Sequence, residues 1–157
     1  MEEKKVNPSV SCRAAQGDAA VGVPDLPRLN ILLVEDNAVN QTFALMILRR
    51  YGHRVKAVSD GRKAIEELCK ASYDLVLMDI RMPGMSGDEA ARSIRKADSG
   101  VLDPEIPIIA MTAHSTPEDV QSFMDAGMDG FIGKPMTWEM VLHAIRETLV
   151  RRERLPG

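Results

Sequence analysis

Cysteine is scarce in this chain. Cys12 and Cys69 are the only two in 157 residues, lie far apart and form no CxxC pair. That speaks against a disulfide-built fold and fits a reduced, cytoplasmic protein. Basic excess is also lacking. The net charge is −3, which argues against nucleic-acid binding, where a basic face is expected. No apolar run approaches the roughly 20 residues of a membrane span, so no membrane contact is expected of this segment. The opening "MEEKKVNPSVSCRAA" has no apolar core and is no secretory signal. There is no internal repeat. His53, His114 and His143 are scattered, without a metal-ligand partner at helical spacing, and no Ser/His/Asp triad is suggested.

What is present is ordinary globular composition, with 45% hydrophobic and 27% charged residues, enough for one domain with a real core. Residues 1–28 lack periodicity and read as a flexible linker or tail. Order begins at "LNILLVED", whose centre, Ile31 to Val34, is apolar on both faces, as in a parallel strand covered by helices on each side. Strand and helix then alternate. "NAVNQTFALMILRRYG" sets Val39, Phe43, Met46 and Ile47 on one helical stripe ended by Gly52. "HRVKAV" is a short, more polar strand. "DGRKAIEELCK" is a helix capped by Asp60, with Ala64 and Leu68 inward and Cys69 as a small inner-face residue. "DLVLMD" is a second apolar strand, with Asp74 at its far, solvated end. "SGDEAARSIRKA" turns Ala90 and Ile94 inward. "IPIIAMT" is a strand, "TPEDVQSFMDAG" a helix with Pro117 at its start, and "GFIGK" a short strand. "TWEMVLHAIRETLVRR" closes with Trp138, Val141, Ile145 and Leu149 on one stripe. Five such units predict an α/β fold. It is a single doubly wound, five-stranded parallel sheet in the flavodoxin-like order 2-1-3-4-5, with helices on both faces.

In such sheets the site forms beyond the carboxyl ends of the strands. The first strand ends on Glu35 and Asp36, the third on Asp79, the fourth on Thr112, and the fifth on Lys134 before Pro135. Each has a bland reading taken alone. Glu35 and Asp36 end a strand and cap a helix, Asp79 belongs to a Pro-Gly turn, and Lys134 is a surface lysine. Together they converge at neighbouring strand ends. Three carboxylates there repel one another, and a hard divalent cation such as Mg²⁺ resolves the conflict. A metal cage gains nothing from an ammonium, so Lys134 suits a phosphoryl oxygen, and the Thr112 hydroxyl can donate to another. Asp79 is then the nucleophile of a phosphoryl transfer.

As a set, "ILLVEDN", "LVLMDIRMPGMSG", "PIIAMTA" and "GFIGKPM" resemble the receiver domain of two-component response regulators, over about residues 29–152, leaving 153–157 as a tail. The resemblance implies that Asp79 is the phospho-acceptor. It implies that Asp36, Glu35, Asp79 and the backbone carbonyl of Arg81 hold Mg²⁺, that Lys134 contacts the phosphoryl group and that Thr112 closes on it. Phe131 falls at the switch-aromatic position, where tyrosine is commoner, and Lys134–Pro135 would be a cis peptide. Ser86 stands where many receivers have aspartate. Arg81 and His114 would flank the phosphoryl group at the rim and set its lifetime. The donor would be a histidine kinase or histidine phosphotransfer protein. The surface of the fourth helix, fifth strand and fifth helix would carry the output, and could serve a homodimer. "VEDNAVNQ" and "MTAH" are similar to receivers attached to hybrid sensor histidine kinases. "DIRMPGMSG" is shared with stand-alone regulators, which keeps a single-domain regulator as the alternative. Such a domain catalyses its own phosphorylation and slow dephosphorylation. Kinase activity would belong only to a larger hybrid chain.

Two more remote classes fit less well. Aspartyl-nucleophile phosphatases usually carry a second aspartate two positions after the first, where this chain has Arg81. A flavin module would need a phosphate-binding loop after the first strand, where "EDNAVN" is acidic.

Overall fold

The computed structural model describes residues 26–154. Of the expected lead-in at 1–28, all but Leu26, Pro27 and Arg28 lies outside the described residues, as do Cys12 and residues 155–157. The elements run β1 (Asn30–Val34), α1 (Ala38–Arg50), β2 (Arg54–Val58), α2 (Gly61–Lys70), β3 (Leu75–Asp79), α3 (Gly87–Arg95), β4 (Ile108–Thr112), α4 (Pro117–Asp125), β5 (Gly130–Gly133) and α5 (Trp138–Arg154). The strands form one parallel sheet in the order β2-β1-β3-β4-β5. This is the expected topology.

Alternation along the strands divides the core in two. Leu32, Val34, Val76, Met78, Ile108 and Ala110 face α2, α3 and α4, where Ala64, Leu68, Ala90, Ile94 and Phe123 meet them. Ile31, Leu33, Leu75, Leu77, Ile109 and Met111 face α1 and α5, against Ala44, Leu48, Val141 and Ile145. Both faces are covered, which is why β1 and β3 read as continuous apolar runs. Each fully buried aliphatic side chain contributes about 1.5–3 kcal/mol, so the central strands are rigid supports for what stands at their tips.

Three local expectations need correction. In α1 the buried residues are Ala44, Ile47 and Leu48, whereas Val39 is 75% and Met46 61% exposed. The helix is set in phase by the Ala44–Leu48 pair, one turn apart, and the expected stripe lies partly on its outer side. Cys69 is exposed, because Ala64 and Leu68 already fill the inner face of α2. The last helix includes Glu153 and Arg154, two residues beyond the expected domain end. Trp138 is half-buried and stacks on Tyr51 with ring centroids 6.0 Å apart. Among the described residues, no helix is long and apolar enough to cross a membrane.

Candidate functional site

Register brings the acids together. Val34 pairs with Met78, so Glu35 and Asp79, each the next residue along, emerge side by side from β1 and β3. On the other side Asp79 pairs with Met111, one residue before Thr112. Ligand oxygens of Glu35, Asp36 and Asp79 lie within 4.8 Å of one another. Glu35 and Asp79 are buried and Asp36 is exposed.

The bland readings of these acids do not hold. The cap of α1 is Asn37, whose side chain accepts from the backbone N–H of Val39 and Asn40 at 2.9 and 3.0 Å. Glu35 accepts from Asn37 N–H at 3.1 Å, and the Glu35 carbonyl accepts from Gln41 Nε2 at 3.0 Å, which fixes the turn carrying Asp36. Asp79 is held by no turn hydrogen bond among those described. Its carboxylate accepts from Lys134 Nζ at 3.1 Å, and the same ammonium is 3.1 Å from Glu35. Lys134 is seated by its own N–H donating to the Thr112 carbonyl at 2.7 Å and is followed by a cis peptide to Pro135.

One cation shared by two buried carboxylates leaves the cluster short of positive charge. Burial, and then the charge of Glu35, push the Asp79 carboxyl up to about 7, with Lys134 opposing. Burial works against the Lys134 ammonium, but its hydrogen bonds to Glu35 and Asp79 outweigh this and raise its pKa. The donor set of three clustered carboxylates, all oxygen and deficient in positive charge, suits a hard divalent cation.

The other predicted residues stand around this cluster. Thr112 is buried, and its hydroxyl accepts from His114 N–H at 2.9 Å and donates to the His114 carbonyl at 2.8 Å, so it serves the loop after β4 rather than Asp79. Arg81 and His114 are exposed. Phe131 is 40% exposed, on the apolar groove that β5 shares with Met124 of α4 and Met140 of α5. Sequence reasoning did not single out Asn37, Gln41 or Gly87. A glycine opening a helix eight residues past a strand end was the available signal for Gly87.

The family model for the response regulator receiver domain matches residues 31–146. The yeast transcription factor SKN7 (Saccharomyces cerevisiae) is 42% identical over 129 residues, covering 81% of this chain and 19% of that protein. Hybrid signal transduction histidine kinase M of Dictyostelium discoideum is 34% identical over 125 residues, covering 78% of this chain and 5% of that protein. Among solved structures, the receiver domain of a Pseudomonas aeruginosa sensor histidine kinase, with magnesium coordinated in its active-site cleft, is 37% identical with a TM-score of 0.65. It covers 80% of this chain and 97% of that one. An open parallel sheet with acids at the tips of β1 and β3 and a lysine at β5 is the architecture of a receiver, and the chain belongs to the response regulator receiver family. It is a phosphorelay receiver domain homologous to those of hybrid sensor histidine kinases, and it spans about a fifth or less of these two curated relatives.

Proposed function

We propose that this receiver takes a phosphoryl group from a phosphohistidine of a histidine kinase or phosphotransfer protein onto Asp79. The observation that carries the reading is the meeting of Glu35, Asp36 and Asp79 with the Lys134 ammonium, 3.1 Å from Asp79. An Asp79 oxygen attacks phosphorus, the phosphorus–nitrogen bond breaks, and its electron pair returns to the imidazole, which regains a proton from water. Lys134 follows the charge from the carboxylate to a phosphoryl oxygen. Glu35, Asp36, Asp79 and the Arg81 carbonyl would hold Mg²⁺, which when bound neutralises the acids and the incoming phosphate.

The product carries about −1.5 to −2 charges, judging by other protein phosphates. For Thr112 to reach it, its hydroxyl must release His114. That frees the loop ahead of α4, and the half-exposed Phe131 gains room to turn inward. The surface of α4, β5 and α5 thereby changes, as the output face or as a homodimer contact. Arg81 and His114 at the rim would control water access. The domain is assigned to residues 29–152 and on to the end of α5. The cytoplasm is the expected compartment, and a hybrid sensor histidine kinase the expected parent. A single-domain regulator is the alternative.

Incubation with acetyl phosphate and Mg²⁺, followed by intact mass, tests the core claim. A gain of one phosphoryl group is expected for the wild type and none for Asp79→Asn. Equal gain by both would overturn the assignment of Asp79.

A further inference from the structure

Gly87 lies against the backbone of the acceptor itself. It is the first residue of α3, is buried, and donates its N–H to the Ile80 carbonyl at 2.8 Å. That bond closes the loop from Ile80 to Gly87, which contains Arg81. A Cβ added at Gly87 would stand 2.3 Å from the Asp79 carbonyl oxygen, 3.0 Å from the Asp79 carbonyl carbon and 3.0 Å from the Ile80 Cα. Its φ is not in the positive region, so the glycine answers a need for space and not for an unusual turn. The seat is also fixed from the helix side. Ser86 caps α3, accepting from Glu89 N–H, while the Glu89 side chain accepts from Ser86 N–H at 3.0 Å.

Asp79 has little freedom to absorb a push. Its strand is paired with β4, and Ile80 N–H donates to the Met111 carbonyl at 3.1 Å. Moving the Asp79 carbonyl out to a tolerable contact takes about 0.7 Å, the difference between 2.3 and 3.0 Å. The same displacement would shift the carboxylate relative to Glu35, Asp36 and Lys134. A misplacement near 1 Å in a reacting group can cost on the order of 100-fold in rate.

We propose that Gly87 is a positioning residue for the phospho-acceptor. Its missing side chain sets how deeply Asp79 sits among Glu35, Asp36 and Lys134, and the capped start of α3 acts as the stop. This rests on the reading of Asp79 given above.

The test compares Gly87→Ala with Gly61→Ala. At Gly61 an added Cβ meets the side chains of Ala90 at 3.0 Å and Met85 at 3.2 Å, so it strains the neighbouring packing without touching Asp79. Mg²⁺ affinity by calorimetry and labelling rate with acetyl phosphate are measured per folded molecule, alongside thermal melts. Gly87→Ala is expected to lower both by roughly 10- to 100-fold, while Gly61→Ala lowers only the melting temperature. Equal losses in the two variants, or wild-type affinity and rate in Gly87→Ala, overturn the proposal. Should Gly87→Ala not fold, Ser86→Ala takes its place by loosening the cap; unchanged Mg²⁺ affinity and rate there overturn the proposal too. Labelling of Asp79→Asn as fast as wild type would instead sink the acceptor assignment on which the proposal stands.

Discussion

At the scale of single residues, the site is a charge imbalance held in place. Asp79 and Glu35 are buried acids that share one ammonium. With the Asp79 carboxyl raised to about 7 against an ordinary 3.8, the native state binds more protons than the unfolded chain between those values. The contribution of Asp79 to the stability of the metal-free protein therefore falls as pH rises from about 4 to about 7, the reverse of an ordinary salt-bridged aspartate, while His53, whose pKa burial lowers from its ordinary 6.5, contributes in the opposite sense. Thermal melts in EDTA should show the wild-type midpoint falling relative to that of Asp79→Asn between pH 4 and 7. A wild-type midpoint that rises relative to Asp79→Asn across this window would refute the imbalance. The same competition makes Mg²⁺ affinity drop as pH falls below about 7, because the cation must displace a proton from Asp79.

At the scale of elements, β1 and β3 were readable from apolar runs because both of their faces are covered, and the acids at their ends were readable as strand ends. The phase of α1 was not. Periodicity shows that a helix exists, but Val39, Phe43 and Met46 compete with Ala44 and Leu48 for the core, and only packing chooses. The small Ala44 lets α1 approach the sheet closely, and the larger residues remain outside. Ala38, Val39, Thr42, Phe43 and Met46 then line a shallow apolar groove that begins two residues after Asp36. The proposed phosphohistidine donor would use this groove as its docking face, because the groove follows Asp36 directly in the chain. Met46→Glu is expected to slow transfer from a phosphorylated partner about tenfold, a loss near 1.4 kcal/mol. It should leave labelling by acetyl phosphate unchanged, since that donor needs no docking face. Paired rate measurements with the two donors check this, and equal slowing of both would place the effect in the site itself. Thr112 marks the other limit of sequence reading. Its position at the end of β4 was legible, but the commitment of its hydroxyl to His114 depends on the loop's path, which no spacing rule encodes.

Across the whole molecule, instability is kept at one end of the sheet and cohesion at the other. The carboxyl ends carry the acid cluster. The amino end of β5 carries Asp129, whose carboxylate accepts from Ile108 N–H at 2.9 Å and pairs with Arg95 of α3 and Arg152 of α5, each at 3.1 Å. Arg95 also donates to the carbonyls of Gly127 and Pro104, and Arg151 to that of Asp129. One side chain thus ties β4, α3 and α5 together where the sheet is farthest from Asp79. The pair of Arg152 with Asp129, 23 positions apart, leaves no local signature in the sequence. Removing Asp129 leaves two arginines without their acid and Ile108 N–H without an acceptor. The charged hydrogen bonds lost are worth about 1.5–3 kcal/mol each at most, and solvent access lowers the sum. Asp129→Ala is expected to cost about 2 kcal/mol in urea unfolding, with an unchanged m-value. Its Mg²⁺ affinity and its acetyl-phosphate labelling per folded molecule should match the wild type, since no part of the clamp touches Glu35, Asp36, Asp79 or Lys134. If the variant is as stable as wild type, Asp129 is not the clamp. If it instead loses Mg²⁺ affinity at full stability, the two ends of the sheet are coupled, and the separation of cohesion from chemistry fails.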